Sequence, residues 1–148
     1  MCYTVYQMEG GADLKYITGV HALNLPCSLQ TCGDWHCSAL QWDVPRFGNT
    51  EDSLFGNYGI EYCFVVPENE GVHAVANHIR ALLDLLEIGN YSAAQGMNRD
   101  YIGCDEYTAE IFDKVALMRD LPHWREIDVF MGREYYCQWL DYKKKVGL

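Results

Sequence analysis

The chain has 148 residues, 49% of them apolar and 14% aromatic, which suits one domain with a packed core and excludes a disordered chain. Twenty-one acidic residues against eleven basic ones leave a formal charge of −10, which opposes binding to a phosphate backbone and favours a basic protein partner over direct contact with nucleic acid. No apolar run approaches the roughly 20 residues needed to cross a bilayer, so no membrane partner is expected.

The amino-terminal stretch MCYTVYQMEGG lacks the basic segment and apolar run of a signal peptide, and the seven cysteines are odd in number. Both point to a reducing, cytoplasmic setting in which most thiols act as small buried hydrophobes.

In chain order, residues 2–8 and 14–23 are rich in β-branched and aromatic types and flank the turn-like 9–13, which predicts a hairpin. In residues 35–42, Trp35, Cys37 and Ala39 alternate with His36, Ser38 and Leu40, as in a strand. Residues 43–59 contain Pro45 and three glycines without a sustained period, and read as a long loop of the kind that often forms binding surfaces. Residues 60–66, IEYCFVV, form a strand closed by Pro67.

The pattern then changes to a helical one. Val72, Val75, Ala76, Ile79, Leu82, Leu83 and Leu86 predict a helix over 70–88, with Arg80 and Asp84 paired on its flank and a stop at Gly89-Asn90. A helical turn follows at 91–95. A second amphipathic helix covers 105–119, with Asp105 and Glu106 at its positive end. Pro122 opens a third over 123–145, in which Gly132 is a place for a bend. Strands before helices predict a single α+β domain over 1–148, with an antiparallel sheet of about four strands in the amino-terminal half packed against about three helices from the carboxy-terminal half.

Chemistry-bearing residues concentrate between His21 and Trp42. Cys27, Cys32, His36 and Cys37 have the spacing C-x4-C-x3-H-C without a second paired knuckle, so neither a metal nor another cofactor is expected. His73 and His78 lie about 140° apart on a helix and make no metal pair there. No phosphate loop, dinucleotide fingerprint or nucleophile elbow occurs. His21, Asp34 and His36 could form an acid–base set, with Asn24 holding a substrate oxygen; a polar network at the end of a sheet would use the same residues.

Two functions of different class fit these residues. One is an acidic module that binds and blocks a protein partner through exposed aromatics, Phe47, Phe55 and Tyr58 of the long loop and Tyr135, Tyr136 and Tyr142 of the last helix. Its aromatic helix faces also suit a homodimer. The alternative is a small enzyme, or a protein that binds a nucleotide or other small ligand, with its site at His21, Asn24, Asp34 and His36.

The words TGVHALNLP, GDWH, ANHIRALLDLL and FMGREY, spread over residues 17–140, resemble small uncharacterised bacterial proteins of mobile-element, toxin–antitoxin or phage-defence neighbourhoods. That resemblance implies a bacterial cytosolic protein acting in defence, counter-defence or toxin neutralisation, in an antitoxin-like or inhibitor role. It implies no fold, activity or catalytic residues.

Overall fold

The computed structural model describes residues 14–31, 35 and 40–148. The fold is α+β, a four-stranded sheet with six α-helices among the described residues. The expected first strand at 2–8 and its turn lie outside the described residues, as does most of the strand expected at 35–42. Trp35 lies in a turn, and residues 40–42 join no strand.

The sheet has the order β2-β1-β4-β3, built from β1 (Lys15–Ile17), β2 (Phe47–Asn49), β3 (Ile60–Val66) and β4 (Asn69–Ala76). It is mixed, where an antiparallel sheet was expected. β1 is antiparallel to β2 but parallel to β4, through Ile17 opposite Val75. That pairing joins strands nearly sixty residues apart, beyond the reach of any local period. The loop expected at 43–59 thus supplies an edge strand. Gly48 of β2 lies opposite Tyr16, and a Cβ there would come within 2.9 Å of the tyrosine ring. The glycine therefore makes the space into which Tyr16 packs.

β3 forms where IEYCFVV predicts it and returns through a tight turn at Pro67-Glu68, with Glu68 at φ +60°. Consequently residues 69–76, expected in a helix, form β4. Gly71 at φ +77° is incompatible with a helix interior, and Val72, which a helix face would bury, is 62% exposed opposite Val65. Only Val75 and Ala76 reach the core. The helix α2 (His78–Glu87) starts at Asn77, whose side chain accepts the Arg80 N–H at 2.9 Å. It is buried on every side from His78 to Leu86, between α1 (Gly19–Leu23), α3 (Tyr91–Ala94) and α4 (Asp105–Ala116).

About three helices were expected, and six form among the described residues. Residues 14–23, read as one strand, divide into β1 and α1, while α3 and α4 fall within the helical turn and second helix read from the sequence. The single helix expected over 123–145 becomes α5 (Trp124–Tyr135) and α6 (Cys137–Val146), separated at Tyr136 with φ 50° and ψ −125° rather than bent at Gly132. The break lets α6 fold back so that Trp139, fully buried, meets Phe112 of α4 and Trp124 of α5 at ring distances of 5.1 and 6.3 Å. Among the described residues, no helix is long and apolar enough to cross a membrane.

Asp128 fastens the returning helix. Its carboxylate accepts the Trp139 indole N–H at 2.7 Å and pairs with Lys143 at 2.8 Å. Burial raises its pKa, but the bonds from Lys143 and Trp139 prevail and hold it below the ordinary carboxylate value. The stabilisation is therefore present above about pH 4 and lost as pH falls through the depressed folded value. Asp128→Asn should cost about 1 kcal/mol at neutral pH, below the usual range for a bond to a charged group because this carboxylate is part-exposed. In urea denaturation the difference from wild type should shrink toward zero as pH falls through that depressed value; a difference independent of pH would assign the loss to packing.

Candidate functional site

A cavity of about 550 Å³ opens between α1, β2 with the turn that follows it, and the carboxy-terminal half of α2. Val20, Leu40, Phe47, Leu85, Ile88 and Leu121 contribute its apolar lining. Its polar floor comes from three elements. Tyr16 of β1 and Thr18 before α1 donate hydroxyl protons to the same oxygen of Asp84, at 2.8 and 2.6 Å. Arg80, one turn earlier on α2, donates Nε–H to the other Asp84 oxygen at 2.7 Å.

Arg80 and Asp84 thus pair as the sequence predicts, but in the interior, at 0% and 7% exposure, rather than on a flank. Three of the four remaining guanidinium protons go to the Tyr16 hydroxyl at 2.7 Å and to the carbonyls of Gly56 and Tyr58 at 2.8 and 2.6 Å. Pairing of this extent is what allows a guanidinium to lie buried. Burial, followed by the Asp84 charge, pushes the Tyr16 phenol well above its ordinary pKa, so it stays protonated.

His21 lies on α1 and lines the cavity. Its Nδ1 accepts the Arg46 N–H at 3.2 Å, leaving Nε2–H to donate to the Gln41 carbonyl at 3.0 Å. The ring packs edge-on to Trp42 at 5.3 Å. Both nitrogens therefore anchor the 41–46 segment. Asn24, at the end of α1, donates its amide protons to the carbonyls of Val20, at 2.8 Å, and Trp35; it is not among the lining residues. Asp34 and His36 lie outside the described residues. Of the four residues expected to converge, the structure places one in the cavity wall and one just behind it.

The expected aromatic anchors divide by burial. Phe55 and Tyr135 are core residues, 7% and 2% exposed, so neither offers a surface to a partner. Phe55 lies under the Arg80 guanidinium and Tyr135 packs edge-on to Phe112 at 4.9 Å; each ring has a buried neighbour that its position in a loop or helix does not reveal. Tyr58 is half-buried, bonded to Glu110 and covered by the Lys114 ammonium at 4.0 Å. Tyr142 stacks on Trp139 and donates to Asp113 at 2.9 Å; burial first, then Asp113, pushes its pKa up to about 12. Phe47 lines the cavity, with the Lys15 ammonium 4.1 Å from its ring centre.

Tyr136 remains 71% exposed, at the edge of a second hollow of about 1190 Å³ near Arg99, Glu126 and Arg133. The positive φ that ends α5 puts it there. Its lining mixes both signs of charge.

Tyr16, Thr18 and Asp84 were missed as site residues. The available signal was an ion pair at i, i+4 on a helix whose neighbouring positions 79, 81–83, 85 and 86 are all apolar, since such a pair is forced toward the interior. The cysteines also depart from expectation, Cys104 and Cys137 being exposed and Cys27 half-buried. Cys32, His36 and Cys37 of the candidate metal spacing lie outside the described residues. Among the described residues no group of three or more His, Cys, Asp or Glu could hold a metal ion. Compared with protein-family models, with curated proteins and with solved structures, the chain matches none.

Proposed function

We propose that the chain is an acidic binding module that captures a protein partner and seats an apolar side chain of that partner in the α1–α2 cavity. The observation that carries this reading is that the groups able to do chemistry in the floor and inner wall of the cavity are already committed within the chain, while the charged Arg46 and Asp52 side chains also line it. Tyr16, Thr18 and Asp84 bond to one another, His21 to backbone, and Glu87 to Ser53 and the Leu54 N–H. Acid–base catalysis needs a group with a place for a substrate proton, whereas recognition of shape and apolar surface does not.

The formal charge of −10, with Asp52 at the rim, favours a basic partner by steering its approach. An antitoxin-like or inhibitor role in defence or counter-defence is the form of this reading that the sequence resemblance suggests. A small molecule is the other occupant that the volume admits, since about 550 Å³ falls within the range of roughly 300–1,000 Å³ typical of small-ligand sites.

Val20, half-buried in the cavity wall, allows a test that spares the buried ion pair. Tagged wild type and Val20→Trp are to be purified from the native cells and their co-eluting species identified by mass spectrometry. A basic protein retained stoichiometrically by wild type, and at least about tenfold less by a variant of unchanged melting temperature, is expected. A partner held equally by both proteins would move the contact elsewhere. A small molecule displaced by the tryptophan would favour the ligand-binding alternative.

A further inference from the structure

Away from the cavity, the segment after α1 runs beside the amino-terminal end of α2. Cys27, half-buried, has its Sγ 3.8 Å from the Thr31 hydroxyl. That hydroxyl is in turn hydrogen-bonded to Nδ1 of His78, the first residue of α2. His78 is fully buried, and its Nε2 lies 2.7 Å from the Leu25 carbonyl. A carbonyl only accepts, so Nε2 carries a proton and Nδ1 is the ring's basic nitrogen, turned toward Thr31 and the Cys27 thiol.

We propose that Cys27 and His78 form a thiol–imidazole pair and that Cys27 is a covalent modification site for small, uncharged soft electrophiles. Transfer of the thiol proton to Nδ1 leaves a thiolate beside an imidazolium. Both imidazolium N–H groups then have acceptors, the Leu25 carbonyl for Nε2–H and sulfur or the Thr31 oxygen for Nδ1–H. The backbone N–H groups of Leu29 and His78 also favour the thiolate, and the latter belongs to the positive end of a ten-residue helix.

The thiol pKa agrees with this arrangement. Burial raises it, but the bonds from the His78 side chain and from the two backbone N–H groups bring it below the ordinary thiol value. The neighbouring titratable groups are Tyr107 of α4, whose hydroxyl donates to the Leu29 carbonyl at 2.8 Å, and Glu61 of β3. The Glu61 carboxylate is taken up by the Ser28 N–H and hydroxyl, at 3.0 Å each. Neither donates to the sulfur.

With iodoacetamide the thiolate attacks the methylene carbon, an S–C bond forms, and iodide leaves with the electron pair of the C–I bond. The imidazolium proton then passes to water. No oxidant or cofactor is required. Exposed Cys104 and Cys137 serve as controls within the same molecule, because accessibility alone would make them the faster sites.

Folded protein is to be treated with limiting iodoacetamide between pH 5 and 9, and labelling at each cysteine followed by peptide mass spectrometry. At pH 7, Cys27 should react about fivefold or more faster than Cys104 and Cys137, with its half-maximal rate at lower pH. In urea the three rates should converge. His78→Gln should shift the Cys27 profile to higher pH and leave the other two unchanged. Should that buried substitution prevent folding, Thr31→Val and the wild-type comparison of native with unfolded protein give the same test. A Cys27 rate at or below the exposed thiols, with the same pH midpoint, would overturn the proposal.

Discussion

Replacing Arg80 by methionine should cost about 3–5 kcal/mol, because the Asp84 carboxylate would be left in the interior without its cation. The substitution keeps most of the side-chain volume and removes every donated bond: to Asp84, to Tyr16, and to the carbonyls of Gly56 and Tyr58. A loss of this size is a large share of the roughly 5–15 kcal/mol that stabilises an ordinary domain. Amides near the 56–58 turn should also exchange faster, since Arg80 ties that turn to α2. The double variant Arg80→Met/Asp84→Leu should recover part of the loss, because both charges are then gone. Guanidinium denaturation of the two singles and the double decides it. If the double variant is as unstable as the sum of the singles, shape rather than an unpaired charge sets the cost.

Trp139→Ala should cost a similar amount, about 3–5 kcal/mol, by opening a cavity where three aromatic neighbours meet. Phe112, Trp124 and Tyr142 lie 5.1, 6.3 and 5.5 Å from the Trp139 ring, and its N–H is the second donor to Asp128. Near-UV circular dichroism should lose most of its fine structure as α6 loosens, while far-UV helicity falls only slightly. Trp139→Phe separates the two contributions: it retains most of the ring contacts and loses the bond to Asp128, so about 1–2 kcal/mol is expected. An alanine variant within 1 kcal/mol of wild type would mean that α6 is not held by this cluster.

Both sites show how far the linear chain could be read. The strand IEYCFVV was legible because β-branched and aromatic residues run up to a proline, and α4 because an acidic first turn precedes a regular apolar stripe. The start of α2 was misplaced because Val72, Val75 and Ala76 fall by coincidence on the face of the true helix residues that follow. The tight turn at Pro67-Glu68 and the left-handed Gly71 override that periodicity. At the other end, the residues of 123–145 keep one helical period across Tyr136, so the reversal there leaves no mark in the pattern. It follows from Trp139 finding Phe112, a partner on another helix.

The candidate site was legible in part. His21 and Phe47, singled out from the sequence for different reasons, line one cavity. Their roles were not legible, because what occupies the His21 nitrogens are backbone groups of a segment twenty or more residues away. Phe55 and Tyr135 looked like surface anchors for the same cause: composition reports that a residue is aromatic, and only packing reports which side of it meets water.

By itself the sequence determined the α+β class, most of the helical segments, the β3 strand, the acidic charge and the Arg80–Asp84 pairing, all properties of residues within a few positions of each other. The tertiary structure decided the rest. Parallel pairing of β1 with β4, the reversal at Tyr136, the burial of the ion pair and the bonding of Tyr16 and Thr18 to a carboxylate 68 and 66 positions away depend on contacts between distant segments. Hydrophobic burial and hydrogen-bond satisfaction are settled for the whole chain at once, and local periodicity carries no record of which distant partner satisfies them.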